Sequence, residues 1–231
     1  MRGRIRSGKE QAVMITPIDL DKWPRNYHYK YYTEALQVGY SVTIKVDVTE
    51  VLAYSRAAGR SFYGCMIYAI SAAVNRLDCM KMVKMEDGNP GIWDRVHPVF
   101  TVFHKESETF SDLWTSWDPD FETFYTEYER VVDRYGDCRG IKGREHQPAN
   151  FFCVSCSPWL DFIAYAPSSP GPAQLFPIIA YGKYTEADGR VTVPLSVTIS
   201  HAAADGYHIS KFAAVLREKT ESFGSRTYPE K

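Results

Sequence analysis

The sequence predicts an α+β sandwich, in which strands and helices mixed irregularly along the chain share one core. Three observations carry that expectation. Val191, Val193, Leu195, Val197 and Ile199 are apolar at alternate positions, with mostly small polar residues between them, the pattern of a strand with one face in a core. Phe121, Phe124, Tyr125, Tyr128, Val131, Val132 and Tyr135 recur at spacings of three and four, the stripe of a helix packed on one side. The order of such segments follows no repeat, and the glycines form no dinucleotide or phosphate-loop fingerprint.

Each element can be justified in turn. Residues 1–13 carry Arg2, Arg4, Arg6 and Lys9 and are expected to be a disordered extension. A single domain is expected over 14–223, followed by a tail over 224–231. Residues 39–48 alternate through Tyr40, Val42, Ile44, Val46 and Val48 and read as a strand. Thr49 and Glu50 open a short helix to Ala58. Residues 62–77, rich in alanine, isoleucine and methionine, read as a buried helix. Short strands are expected at 81–85 and 91–93 around the turn Asp87-Gly88-Asn89-Pro90, and a longer one at 99–104. Asp118, with Pro119 in the first turn, is expected to cap the striped helix. A polar loop follows over 136–148, then strands over 150–155 and 175–184, separated by the irregular Pro/Gly-rich stretch 166–172. Asp188-Gly189 turns the chain into the strand that ends at His201, and Asp205-Gly206 precedes a last helix with Ile209, Phe212, Ala213 and Leu216 on one face.

Composition narrows the function. The chain has 231 residues and 45% apolar content, ample for one large core. Its 27 basic and 28 acidic side chains nearly cancel, which argues against a nucleic-acid or anionic-membrane partner. No apolar run is long enough to span a bilayer and no signal-peptide core opens the chain, so a cytoplasmic location is expected. Cys153 and Cys156 make a C-x-x-C spacing, but inside a strand and with no second pair. No metal site is expected, and all five cysteines are expected to be buried free thiols.

His201 is the candidate for chemistry. It falls on the apolar face of its strand, where the strand stops, and the following Ala202, Ala203, Ala204 and Gly206 are expected to leave room for a reactant. A titratable imidazole at such a place can act as a general base near neutral pH. A core histidine satisfied by a backbone carbonyl fits the same residues. Asp205 before glycine is, on its own, a helix cap or a turn.

The motif His201-x-x-x-Asp205-Gly206 resembles that of the coenzyme A-dependent acyltransferases. Residues 92–98, 100–104 and 108–111, Val154-Ser155-Cys156-Ser157-Pro158-Trp159 and Pro194-Leu195-Ser196-Val197 resemble the chloramphenicol acetyltransferase family, over roughly residues 14–220. The resemblance implies a two-layer sandwich, with a mixed sheet and helices packed on one face. It further implies a homotrimer with active sites at subunit interfaces and acetyl-CoA as co-substrate rather than resident cofactor. His201 is then the general base and Ser155 the hydrogen-bond donor to the oxyanion, while Asp205 forms an ion pair with Arg25 that shapes the site. Tyr31, Tyr32, Leu36, Tyr165, Pro167 and Ala180 match positions that line the acceptor pocket, and Lys183 and Tyr184 border the coenzyme. The implied reaction is acetyl transfer from acetyl-CoA to a hydroxyl of chloramphenicol. An O-acetyltransferase for another hydroxylated acceptor and a non-catalytic trimeric binding protein are the alternatives. The H-x-x-x-D-G acyltransferases of 2-oxo acid dehydrogenase complexes come with lipoyl segments that this sequence does not show. The sequence departs from the family at Ser200 and Ala204, where histidine and cysteine are common, and at Cys153 and the stretch 167–172, which bear on the acceptor.

Overall fold

The computed structural model describes residues 14–168 and 171–227. The extension expected over 1–13, residues 169 and 170 of the Pro/Gly-rich stretch, and the end of the tail lie outside the described residues. In chain order the elements are β1 (Ile15–Pro17), α1 (Asn26–Lys30) running into a π turn at Tyr31–Ala35, β2 (Gly39–Asp47), α2 (Thr49–Ala57), α3 (Phe62–Asn75), β3 (Met82–Lys84), β4 (Pro90–Trp93), β5 (His97–His104) and β6 (Thr109–Trp114). Then come α4 (Phe121–Tyr135), β7 (Phe151–Ser157), β8 (Ile178–Gly182), β9 (Thr185–Ala187), β10 (Arg190–Ser200), α5 (Gly206–Glu221) and a 3-10 turn at Ser222–Ser225.

The main sheet runs β2-β10-β8-β7-β5-β6, with β9 paired to the start of β10. Strand β7 is parallel to both β5 and β8, and the other pairs are antiparallel, so the sheet is mixed. The apolar alternation of β10 dictates its pairing. Val193, Leu195, Val197 and Ile199 stand opposite Val46, Ile44, Val42 and Tyr40 of β2, and all eight point into the same core. A one-residue slip would put every one of them on the wrong face. The helices cover that face alone. Helix α3 is buried from Gly64 to Val74 at every position but Ala72, and forms the middle of the helical layer. It comes so close to α4 that a Cβ on Gly64 would stand 2.6 Å from the Tyr128 ring, so glycine is required there. Phe121, Phe124, Tyr125, Tyr128 and Val131 of α4 are buried as the stripe predicts.

Several local expectations need correcting. The cap of α4 is Asp120, whose carboxylate accepts from the Thr123 N–H at 2.9 Å; Asp118 and Pro119 lie before it. Strand β8 is shorter than 175–184. Strand β6 has no counterpart in the sequence reading, because its core-facing positions include the polar Ser111, which pairs with Val102 and is fully buried. Ser111 is satisfied there: its hydroxyl donates to the Cys138 carbonyl and receives the His104 Nε2–H at 2.8 Å. Of the five free thiols only Cys65 is fully buried; the other four are part-exposed. Phe223 and Arg226 also bind the end of the described chain to the core, with the Arg226 guanidinium 4.4 Å from the Phe121 ring centre. No described helix is long and apolar enough to cross a membrane.

Candidate active site

His201 sits one residue past β10, whose last residue Ser200 pairs with Gly39 at the start of β2. Its N–H donates to the Val38 carbonyl at 3.0 Å, and the Ala203 and Ala204 N–H groups fold back onto the Ser200 carbonyl at 3.1 and 3.2 Å. The chain therefore leaves the sheet in a tight turn directly after the imidazole. The three alanines of that turn are fully buried, which corrects the expectation that they leave room for a reactant. They are small because α5 packs over them. Beside Gly206 there is space, since an added Cβ would meet nothing within 4 Å.

The imidazole is held by aromatic faces. Tyr32 stacks on it, with ring centres 4.1 Å apart and planes inclined by 6°, and Tyr40 leans on it at 5.1 Å and 47°. Its Nδ1 is buried and has no hydrogen-bond partner among the described residues. The backbone beneath is held by charge. Arg25 Nη2 donates to the His201 carbonyl at 3.2 Å, and Arg25 Nη1 pairs with Asp205 Oδ2. Asp205 also caps α5, its Oδ1 accepting from Tyr207 N–H at 3.0 Å, His208 N–H at 3.4 Å and His208 Nδ1 at 2.8 Å. Burial pushes the Asp205 carboxyl up, but the His208 imidazole and the Arg25 guanidinium outweigh it and hold the group down at about 2. The Tyr40 hydroxyl, desolvated and near Asp205, is pushed up to about 12.

Ser155 lies elsewhere. It is on β7, where Phe152 and Val154 point into the core and Cys153 and Ser155 point to the face without helices. Its Oγ is 3.3 Å from Thr101 Oγ1 on β5. The register puts Ser155, Ala180 and Ser196 in one row across β7, β8 and β10. His201 is five residues beyond Ser196, so two strand spacings of ~4.8 Å and five rises of ~3.3 Å separate Ser155 from His201 by roughly 19 Å. One chain does not bring the two together. The alternation also separates Cys153 from Cys156, which faces the core, so neither a disulfide nor a shared metal can join them; burial pushes both thiols up to about 11.

The remaining sequence candidates divide between these two places. Tyr31, Tyr32 and Leu36 are on or beside the π turn near His201; Tyr31 and Leu36 are exposed. Pro167 lines a cavity of about 420 Å³ with Gly39, Tyr40, Ser41, Thr198 and Ile199, at the same end of the sheet. Tyr165 and Ala180 belong with Ser155. Ala180 pairs with Ser155, and the Tyr165 backbone is tied to the open face by Ser196 Oγ donating to its carbonyl at 2.6 Å. Lys183 and Tyr184 follow the end of β8 farthest from His201. The Lys183 N–H donates to the Leu160 carbonyl at 2.7 Å, and the Tyr184 ring meets Phe62 edge to face at 6.0 Å. The sequence reading overlooked Tyr40, Thr101 and His208. Tyr40 was legible as a core-facing strand residue opposite Ile199. The signal for His208 was its place three residues after an aspartate cap.

Comparison with known proteins places this geometry. The family model described as chloramphenicol acetyltransferase matches residues 13–217. A chloramphenicol acetyltransferase of Streptomyces acrimycini is 39% identical over 202 residues, covering 87% of this chain and 92% of that protein. One from Clostridium perfringens is 35% identical, covering 91% of this chain and all of that protein. A solved structure of a chloramphenicol acetyltransferase superposes with a TM-score of 0.78 at 23% identity, over 89% of this chain and 99% of the other, and shows the same fold.

Proposed function

The chain belongs to the chloramphenicol acetyltransferase family, and from that premise we propose that it transfers the acetyl group of acetyl-CoA to a hydroxyl of chloramphenicol, inactivating the antibiotic. In this reading His201 is the general base. With Nδ1 buried, Nε2 is the nitrogen that meets the acceptor. The acceptor hydroxyl gives its proton to Nε2 while its oxygen attacks the thioester carbonyl carbon. The tetrahedral oxyanion receives a hydrogen bond from Ser155. It then collapses, the carbon–sulfur bond breaks, and the proton on the imidazolium passes to the coenzyme A thiolate.

The separation of roughly 19 Å between Ser155 and His201 in one chain carries the rest of the proposal. A hydrogen-bond donor must lie about 3 Å from the oxyanion, so Ser155 serves the His201 of another copy. This supports a homotrimer in which each site is built from two faces. One chain supplies His201, Arg25, Asp205, Tyr31, Tyr32 and Leu36. Its neighbour supplies Ser155, Tyr165 and Ala180 from the face that bears no helices, and Pro167 closes the acceptor pocket. Tyr32 has a double duty here, as a wall of the pocket and as the plate against which the base is stacked. Lys183 and Tyr184 bind the coenzyme, which approaches from the side opposite the acceptor. Use of acetyl-CoA supports a cytoplasmic location.

The test follows thiol release from acetyl-CoA with chloramphenicol. His201→Ala and Ser155→Ala are each expected to be nearly inactive alone. Coexpressed in equal amounts, they assemble at random so that about a quarter of all sites pair an intact His201 with an intact Ser155, and activity returns. A mixture no more active than its components would overturn the shared site. Thiol release with other alcohols but not with chloramphenicol would keep the chemistry and discard the acceptor.

A further inference from the structure

The Arg25–Asp205 pair is not the two-pronged fork that a guanidinium and a carboxylate usually make. Arg25 Nη1 takes only Asp205 Oδ2, while Nη2 is spent on the His201 carbonyl and Nε, though buried, has no partner among the described residues. A carboxylate held by one oxygen can turn about its Cβ–Cγ bond, a broad and soft torsion. Turned, it would offer Oδ1 to the guanidinium, and Nη2 would leave the backbone of the base to take it. What stops the turn is the set of donors on Oδ1. Two are backbone N–H groups at the start of α5, at 3.0 and 3.4 Å; the third and nearest is His208 Nδ1 at 2.8 Å. The Asp205 N–H also lies 3.4 Å from His208 Nδ1. Only one of those contacts can carry a proton on Nδ1. An ionised carboxylate cannot donate, so the shorter contact fixes the proton on Nδ1, pointing at Oδ1.

We propose that His208 is a positioning residue for the transfer reaction: by holding the second oxygen of Asp205 it keeps Arg25 one-pronged, and so keeps Arg25 on the His201 carbonyl. His208 never touches a reactant. Its effect passes through Asp205 and Arg25 to the main chain that aims the imidazole. Neutral imidazole with the proton on Nδ1 and imidazolium both hold Oδ1. The groups that face this clamp are Arg25, Asp78, Cys79 and Lys211, around a cavity of about 220 Å³. The inference rests on His201 being the base.

The experiment compares two amides at position 208. The side-chain nitrogen of asparagine reaches the place of Nδ1, whereas that of glutamine extends one bond farther, into the adjoining cavity. His208→Gln is expected to lower kcat about tenfold, with KM for acetyl-CoA and for chloramphenicol each within about twofold. His208→Asn is expected to recover most of that loss. Melting curves of both variants separate misfolding from misalignment, since a merely structural role moves kcat only in step with the folded fraction. In an Arg25→Lys background, where the rigid two-nitrogen fork is gone, His208→Gln should cost little further rate. Glutamine and asparagine variants with equal rates, or an undiminished loss in the Arg25→Lys background, would overturn the role of His208. Full activity of His201→Ala in the same assay would instead overturn the reading on which it rests.

Discussion

The two halves of the proposed site are held in opposite ways. Around His201 the chain over-determines everything: the N–H is tied to Val38, the carbonyl to Arg25, the ring to Tyr32 and Tyr40, and the following turn is sealed under α5. Around Ser155 it provides a flat strand face, one neighbouring hydroxyl on Thr101, and no helical layer above. The difference teaches where precision has to be built in. A base that must present one nitrogen in one orientation needs its own chain to fix it before any reactant arrives. A hydroxyl that only has to stabilise a charge developing in the transition state can sit on a rigid surface and wait for a second copy to deliver that charge.

Removing each half should therefore give distinct kinetic signatures. The largest effect is expected for His201→Ala, a fall in kcat of about 10²–10⁴-fold, the usual worth of a positioned base. Ser155→Ala should cost about 10²-fold in kcat with KM for both substrates nearly unchanged, and its stability should shift by no more than about 0.5 kcal/mol, since its side-chain hydrogen bond among the described residues is a 3.3 Å approach to Thr101. Steady-state kinetics and urea melts check both. A rise in KM without a fall in kcat for Ser155→Ala would show uniform binding instead and dissolve the contrast.

Asp205→Asn attacks the over-determined half from below. It leaves the Arg25 guanidinium, whose side chain is only 14% exposed, without its counter-charge. Breaking a fully buried pair costs about 3–5 kcal/mol; with a third of the Asp205 side chain in solvent, about 1–3 kcal/mol is expected. Activity should fall as well, because Arg25 no longer has a fixed place from which to hold the His201 carbonyl. Thermal melts and kcat of the same preparation provide the check; full activity with unchanged melting would detach the clamp from the site.

How much of this was legible in the sequence follows from which distances along the chain carry the information. The strand that presents His201 was readable because alternation runs unbroken from Val191 to Ile199, and α4 because its aromatic stripe keeps helical spacing. Asp205 was readable as a cap three residues ahead of His208. The order of strands was not, because nothing local says that β10 lies between β2 and β8, and that order alone decides that Ser155 and His201 are far apart. The family resemblance paired them in one site; the register separates them within one chain. The alanines at 202–204 were misread because a small residue looks the same in a sequence whether it clears a path or fits beneath a helix. Strand β6 was hidden by Ser111, a polar residue that belongs in the core only because His104 and the Cys138 carbonyl satisfy it.

The smallest effect contrasts the clamp with a buried histidine three strands across the sheet, in acid. At the start of β5, buried His97 accepts the Trp117 N–H on Nδ1 at 2.8 Å, which requires that nitrogen bare. Burial, reinforced by Arg95, pushes the imidazole down to about 4 from an ordinary value near 6.5. The unfolded chain thus binds this proton first, so the stability His97 contributes is complete above about 6.5 and is lost as pH falls toward 4. The Asp205 carboxylate has the opposite chemistry and a lower window. Its contribution is in place above its ordinary value near 3.8 and is lost only as pH falls through about 2. From pH 7 to 5.5 the protein should therefore lose about 1 kcal/mol through His97 while the Asp205 carboxylate stays ionised. His97→Asn, whose amide oxygen can accept the same N–H but does not titrate, should flatten that slope in urea melts whatever its stability at pH 7. Equal slopes for the parent and the asparagine variant would move the acid-sensitive point away from β5 and return attention to the clamp.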